Sequence, residues 1–149
     1  MHQTVTAPVA APRERVAAII SDLATYPDWL DLVTAADPAD GDDEQPAWLV
    51  TIRAKVGPFA RSKKLRMVRT VDDRTGDTTA YRFERRELDG RDHSAWTLDA
   101  AVSPDATGKS SVTMDLRYDG GLWTAPLEPI LGSFISGAGA DLEAYANRS

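Results

Sequence analysis

Between Trp48 and Tyr118 the chain repeats one pattern, apolar residues at every second position, broken by turns too short to hold a helix. Trp48, Val50, Ile52, Ala54 and Val56 alternate with Leu49, Thr51, Arg53 and Lys55, the period of a strand with one buried face. Leu65, Met67 and Val71 share a phase in the next run. Tyr81 and Phe83 follow, then Trp96, Leu98, Ala100 and Val102, then Val112, Met114, Leu116 and Tyr118. Gly57-Pro58, the stretch from Asp72 to Asp77, Asp89-Gly90 and Pro104 to Gly108 supply turns. Parallel strands need crossovers of roughly a dozen residues or more, so these runs predict an antiparallel meander.

The flanks have other periods. Gln3 to Val9 reads as a short first strand. Pro12 can open a helix without its missing N–H, and Val16, Ile19, Ile20 and Leu23 follow at helical spacing. Pro27 disfavours helical geometry at Tyr26, so that helix is expected to stop near Thr25, with Trp29, Leu32 and Val33 on the inner side of a second, short helical turn. Ala36 to Pro46, acidic and rich in turn formers, reads as a loop with at most a brief strand before it. After Gly120-Gly121 the residues Leu127, Leu131, Phe134, Ile135, Ala138, Leu142 and Tyr145 line one side of a long C-terminal helix.

The 149 residues leave room for one domain, spanning 1–149. The expected architecture is α+β, in the order β-α-α-β(5–6)-α: a curved antiparallel sheet of about seven strands wrapped around the C-terminal helix. One helix cannot fill such a sheet along its whole length, so an internal cavity is expected. Such a cavity needs an apolar and aromatic lining.

Composition removes several chemistries. With no cysteine and only His2 and His93, neither a metal site nor any other cofactor is expected, and thiolate or Ser-His-Asp catalysis is disfavoured. A net charge of −6 argues against nucleic-acid binding. No apolar run reaches the roughly 20 residues of a membrane span, and Met1 to Thr4 lacks a signal-peptide start, so the expected location is cytoplasmic. The charge is uneven, however. Arg53 to Arg86 holds eleven Lys or Arg against four Asp or Glu, a local +7 that leaves −13 on the rest.

Particular residues add a resemblance. The opening Val5-Thr6-Ala7-Pro8-Val9-Ala10-Ala11-Pro12 before a helix, and Tyr26-Pro27-Asp28-Trp29 at its end, resemble the SRPBCC group, the START/Bet v 1-like helix-grip superfamily, and within it bacterial polyketide cyclase/dehydrase-like members. Lys55-Val56-Gly57-Pro58-Phe59, Tyr118-Asp119-Gly120-Gly121-Leu122 and the later Gly132, Gly137 and Gly139 are similar to the branch of that group associated with carbon monoxide dehydrogenase as an accessory protein. The likeness implies a helix-grip fold whose pocket takes a lipid, polyketide, quinone or other ring compound. The glycine-rich loop of the plant members is absent, and the coenzyme Q-binding signature is only partly matched.

The candidate ligand-binding set is Trp48, Ile52, Met67, Phe83, Trp96, Leu98, Met114 and Leu116 from the strands and Leu127, Leu131, Phe134 and Ile135 from the helix. The plainer reading of each is ordinary core. Trp29 and Trp123 fall beside expected openings, as gates or as packing anchors. Arg69 and Arg85 share the inward phase, which implies either an acidic ligand group or protein carboxylates beside them, unless a bulge turns them out. Those two arginines, Tyr81 and His93 are the weak catalytic candidates. His93 and Ser94, adjacent in a strand, would point to opposite faces. Gly137-Ala138-Gly139 fits close helix packing better than a dinucleotide loop. Arg53, Lys55, Lys64, Arg66, Arg82 and Arg86 fall mostly on the outward phase, where they would either meet an anionic membrane or acidic protein or be neutralised by Glu84, Asp99 and Asp115.

Three functions follow. The first is a module that sequesters or transports a small hydrophobic ligand without catalysis. The alternatives are a polyketide cyclase, aromatase or dehydratase-like enzyme, and an accessory protein that docks an oxidoreductase or a membrane through the basic face.

Overall fold

A computed structural model describes residues 2–42, 44–56, 58–119 and 128–148. The chain runs β1 (His2–Val9), α1 (Arg13–Ile20), a 3₁₀ helix (Leu23–Asp28), β2 (Val33–Asp42), β3 (Gln45–Val56), β4 (Phe59–Asp73), β5 (Thr79–Arg85), β6 (Trp96–Pro104), β7 (Ser110–Tyr118) and α2 (Glu128–Ala146). Among the described residues seven strands form one curved antiparallel sheet in the order β1-β7-β6-β5-β4-β3-β2. The expected α+β architecture and the long C-terminal helix are therefore present.

Local chemistry explains both departures in the first third. The first helix ends at Ile20 rather than near Thr25. The Ser21 hydroxyl donates to Ala18 O (3.0 Å), and Asp22 Oδ1 accepts from the Ala24 N–H (3.0 Å), capping a new 3₁₀ turn that contains Pro27. The turn after it, held by Leu30 N–H to Tyr26 O (2.8 Å) and Val33 N–H to Leu30 O (3.0 Å), replaces the expected second helical turn. The acidic stretch expected as a loop is mostly β2, with Ala36 opposite Val50 and Pro38 opposite Trp48. As an edge strand, β2 can expose Asp37 and tolerate a proline that donates no hydrogen bond.

The register of β4 corrects another expectation. A bulge lies between Arg69 and Val71, so Arg69 stays opposite inward Phe83 whereas Val71 moves opposite outward Arg82. Val71, expected to be buried with Leu65 and Met67, is 41% exposed. The extra residue of a bulge changes which face later side chains occupy.

The concave side of the sheet carries the core. Val16 and Ile20 of α1, Tyr26 and Trp29, Phe83 of β5, Val102 of β6 and Leu142 of α2 are buried there. Complete burial of a side chain such as Phe83 contributes about 1.5–3 kcal/mol. The C-terminal half of α2 lies against β1. Glu143 Oε1 accepts the Ala10 N–H, and Asn147 Nδ2 donates to Ala10 O (3.1 Å), so helix and strand are clasped at one backbone unit. Arg15 Nη1 donates to Ala146 O (3.3 Å), which ties the end of α2 to α1. No helix among the described residues is long and apolar enough to cross a membrane.

Candidate functional site

A cavity of about 60 Å³ opens on the concave face of the sheet. β3 and β4 contribute Val50, Ile52, Leu65 and Met67, and β6 and β7 contribute Trp96, Leu98, Met114 and Leu116. Tyr26, Leu30, Leu32 and Val33 close the remaining side. Strand alternation aims the first eight inward, and cross-strand pairing stacks them in rows: Val50 opposite Leu65, and Leu98 opposite Leu116.

The lining presents apolar surface. The Tyr26 hydroxyl does not enter it, because it donates to Ile20 O (2.8 Å). Burial, with the charge of Asp22, pushes the Tyr26 phenol far above its ordinary pKa, so it stays neutral. Trp96 differs. It is 4% exposed and stacks on Tyr118 with ring centroids 4.6 Å apart, yet its Nε1–H meets no hydrogen-bond partner. It is the one such buried side-chain atom among the described residues. An unpaired buried donor costs about 1–3 kcal/mol.

The structure brings Ile52, Met67, Trp96, Leu98, Met114 and Leu116 of the expected set around this cavity. Phe83 and Trp48 lie beyond it. Phe83 is fully buried, with ring centroids 6.3 Å from Tyr26 and 5.8 Å from Trp48. This aromatic chain runs from the cavity wall to an outer cleft. Trp29, expected beside an opening as a gate or as a packing anchor, is buried and packed. It is 2% exposed, its ring lies 4.4 Å from that of Tyr26, and its Nε1–H donates to Thr25 Oγ1 (3.3 Å). Leu131, Phe134 and Ile135 lie in α2, but their side chains are outside the described set; Trp123 and Leu127 are outside the described residues altogether.

Sequence reasoning missed Tyr26, Leu30, Leu32, Val33, Val50 and Leu65 as lining. Val50 and Leu65 carried a usable signal, since they share the inward phase of Ile52 and Met67. The other four belong to an irregular segment with no period, or to the bulged start of β2.

Both arginines with the inward phase are satisfied by the protein itself. Arg69 Nη1 donates to Ser21 O (2.9 Å), Nη2 lies 3.6 Å from Asp72 Oδ2, and the guanidinium sits 5.9 Å from the Tyr81 ring centroid. Arg85 donates through Nε to Glu87 Oε1 (3.0 Å), through Nη1 to Ser94 O (3.2 Å) and through Nη2 to His93 Nδ1 (3.2 Å). Because an arginine only donates, His93 accepts at Nδ1 and carries its proton on Nε2, which faces Asp89 (2.9 Å). The two guanidinium groups thus diverge, one toward the end of α1 and the other toward residues 87–94. An acidic ligand is not needed to neutralise either one.

The outer cleft, about 620 Å³, is lined by Arg13, Glu14, Asp22, Trp48, Arg69, Arg74 and Tyr81 among others. Its arginines are already engaged. Arg74 forks onto Asp72 (2.9 and 3.2 Å), and Arg13 Nη1 donates to Asp77 O (2.6 Å). The Arg74 fork chiefly, with the charges of Arg74 and Arg69, holds the Asp72 carboxyl below its ordinary pKa.

The outward basic set is also interleaved with acceptors. Arg66, expected on the solvated face, is 5% exposed, and its guanidinium donates to Arg86 O (2.8 Å) and Asp40 O (2.7 Å). Arg82 forks onto Asp99 (2.7 and 3.2 Å), and Arg86 Nη2 lies 4.0 Å from Glu84. Arg53 and Lys64 are exposed, and the Lys55 side chain is outside the described set.

Comparison with known proteins agrees with this geometry. Residues 1–146 match the profile of the family described as polyketide cyclase/dehydrase and lipid transport. No curated protein matches significantly by sequence. Among solved structures, human StAR-related lipid transfer protein 5 superposes with a TM-score of 0.81 at 11% identity, over 99% of this chain and 76% of that one. A STAR-related lipid transfer protein from Xanthomonas axonopodis gives 0.74 at 15%, over 99% and 86%. The di-domain ARO/CYC protein BexL of the BE-7585A biosynthetic pathway gives 0.60 at 15%, over 100% and 50%. At these identities the structures establish the fold, and the profile match over nearly the whole chain establishes the family: the protein belongs to the polyketide cyclase/dehydrase and lipid transport family of the START/SRPBCC helix-grip superfamily.

Proposed function

We propose that the protein binds a small hydrophobic molecule in the cavity between β3, β4, β6, β7 and the 26–33 segment, and that it sequesters or carries that molecule without transforming it. The carrying observation is a lining without an ionisable side chain other than the neutral Tyr26 among the described residues. Catalysis on a bound molecule would need acid, base or cation converging on one atom. Arg69, Tyr81, Arg85 and His93 stand outside this lining, held by other partners or facing the outer cleft. At about 60 Å³ the cavity is well below the roughly 300–1,000 Å³ of drug-sized sites. The fitting ligand is therefore compact, or it displaces flexible lining such as Met67 and Met114.

Equilibrium titration with small aromatic and aliphatic compounds tests this, alongside native mass spectrometry of protein from its own host. Saturable binding that Leu98→Trp abolishes by filling the space is the expected result. A variant that folds and binds like wild type, or conversion of a polyketide-like substrate by the wild type, would overturn the proposal.

A further inference from the structure

The outer cleft between α1 and the strands holds donors that the protein leaves unused. Trp48 and Tyr81 line it at 6% and 2% exposure, and neither the Trp48 Nε1–H nor the Tyr81 hydroxyl has a hydrogen-bond partner among the described residues. Both atoms are reachable, unlike that of Trp96. Trp96 Nε1 is the one unpaired side-chain atom there that is sealed from solvent, so the little surface that Trp48 and Tyr81 keep includes their polar atoms. It faces an open cleft of about 620 Å³ whose walls show polar as well as apolar surface. Register sets the donors in a row. Met67, two residues before Arg69, sits opposite Trp48, and Phe83, two residues after Tyr81, sits opposite Arg69. Arg69 is thereby the diagonal neighbour of both Trp48 and Tyr81 on the inward face, at the roughly 7–8 Å that long side chains span. Its guanidinium lies 5.9 Å from the Tyr81 ring centroid and makes one hydrogen bond among the described residues, to Ser21 O (2.9 Å). Arg74 gives Nε and Nη2 to Asp72, and its Nη1 has no partner among the described residues.

We propose that this row is a second binding site, for a small organic monocarboxylate whose head group accepts from Trp48 Nε1–H, the Tyr81 hydroxyl and the Arg69 guanidinium. The donor set selects the head group. Indole and guanidinium groups donate and cannot accept, whereas a carboxylate only accepts, through two oxygens. Charge agrees with this. Arg69 and Arg74 share one carboxylate, Asp72 (3.6 and 2.9 Å), which leaves one positive charge beside the row for a monoanion to meet. A second negative charge would face Glu14 and Asp22 on the α1 wall, so a phosphate dianion fits less well. Ala17, Ala18 and Pro46 supply an apolar wall for the rest of the molecule. The Tyr26, Phe83 and Trp48 rings stand between this cleft and the apolar cavity, so the site does not depend on what the cavity holds.

Benzoate, its neutral isostere benzamide and inorganic phosphate are the probes. Indole N–H and leucine-methyl NMR signals are followed together during titration, with Trp48→Phe assigning the Trp48 resonance. Benzoate is expected to shift the Trp48 N–H, to leave the Leu98 and Leu116 methyls of the apolar cavity in place, and to bind more tightly than benzamide or phosphate. Tyr81→Phe removes one donor to a charged acceptor and is expected to weaken benzoate about 10–100-fold. Should that variant fail to fold, the wild-type Trp48 shift and the benzoate-to-benzamide ratio decide. No benzoate binding, an unmoved Trp48 N–H, or shifts confined to the Leu98 and Leu116 methyls overturn the site. So does unchanged affinity in a folded Tyr81→Phe. Benzamide binding as tightly as benzoate overturns the anionic class, and phosphate binding more tightly overturns the carboxylate. Each of these failures leaves the cavity proposal to its own titration.

Discussion

A Cβ on Gly139 would lie 2.5 Å from the Cβ of Ala7, so α2 crosses β1 at a distance that only a missing side chain permits. Gly139→Ala is expected to cost about 1–3 kcal/mol, because both backbones are fixed and neither methyl can turn away. Adding Ala7→Gly should recover most of that loss. A methyl group on Gly137 would meet nothing within 4 Å, so Gly137→Ala should instead stabilise by up to about 1 kcal/mol through helix propensity. Urea unfolding of the wild type and these variants measures all of this.

Arg85 and Glu87 form the most enclosed ion pair among the described residues, with the arginine side chain only 6% exposed. Glu87 also accepts the Arg66 backbone N–H (3.1 Å). Glu87→Ala therefore strands a buried cation and a backbone donor together, and a loss of about 3 kcal/mol is expected. Glu87→Gln keeps the acceptor and should lose clearly less. Equal losses in chemical denaturation would mean that the retained amide acceptor contributes nothing and that the lost charge pairing carries the whole effect.

The strand phases were readable because a period of two is a local property; Trp96, Ala100, Val102, Val112, Met114 and Leu116 bury as their alternation requires, whereas Leu98 and Tyr118 are only partly buried. The bulge at Thr70 was not, because it depends on which β5 residue sits opposite, and it alone turns Val71 outward. Arg66 lies on the outward phase as its position dictates, yet it is buried because Asp40 O and Arg86 O, 26 and 20 residues away, close over it. The cavity was half legible for the same reason. Its strand wall follows from phase, whereas Tyr26, Leu30 and Leu32 arrive through a 3₁₀ turn set by Asp22 and Ser21.

Acid should weaken the junction of β4 and the following turn. The Arg74 fork chiefly, with the Arg74 and Arg69 charges, holds the Asp72 pKa below its ordinary value of about 3.8, against opposing contributions from burial and Asp73. A depressed carboxylate stabilises the folded state fully above the unfolded pKa and loses that contribution as pH falls through the folded one. The melting-temperature gap between wild type and Asp72→Asn is thus expected to be constant from pH 7 to about 5 and to close below about 4. A gap that persists unchanged at about pH 2 would place the effect of the substitution elsewhere.

Leu65 lines the cavity at 2% exposure, and Leu142, at 1%, is buried beneath α2 away from it. Truncating either to alanine removes similar apolar volume, so each is expected to lose about 2–5 kcal/mol. Their effects on binding should differ. Leu65→Ala enlarges the space against which a ligand packs, and a bicyclic ketone such as 2-acetonaphthone should gain affinity relative to acetophenone. Leu142→Ala opens volume that this ligand does not reach, so the ratio should stay at the wild-type value. Calorimetric or fluorescence titration below the melting temperature of both variants reads the two ratios. A gain confined to Leu142→Ala would move the ligand site from the β3–β4–β6–β7 wall to the interface under α2.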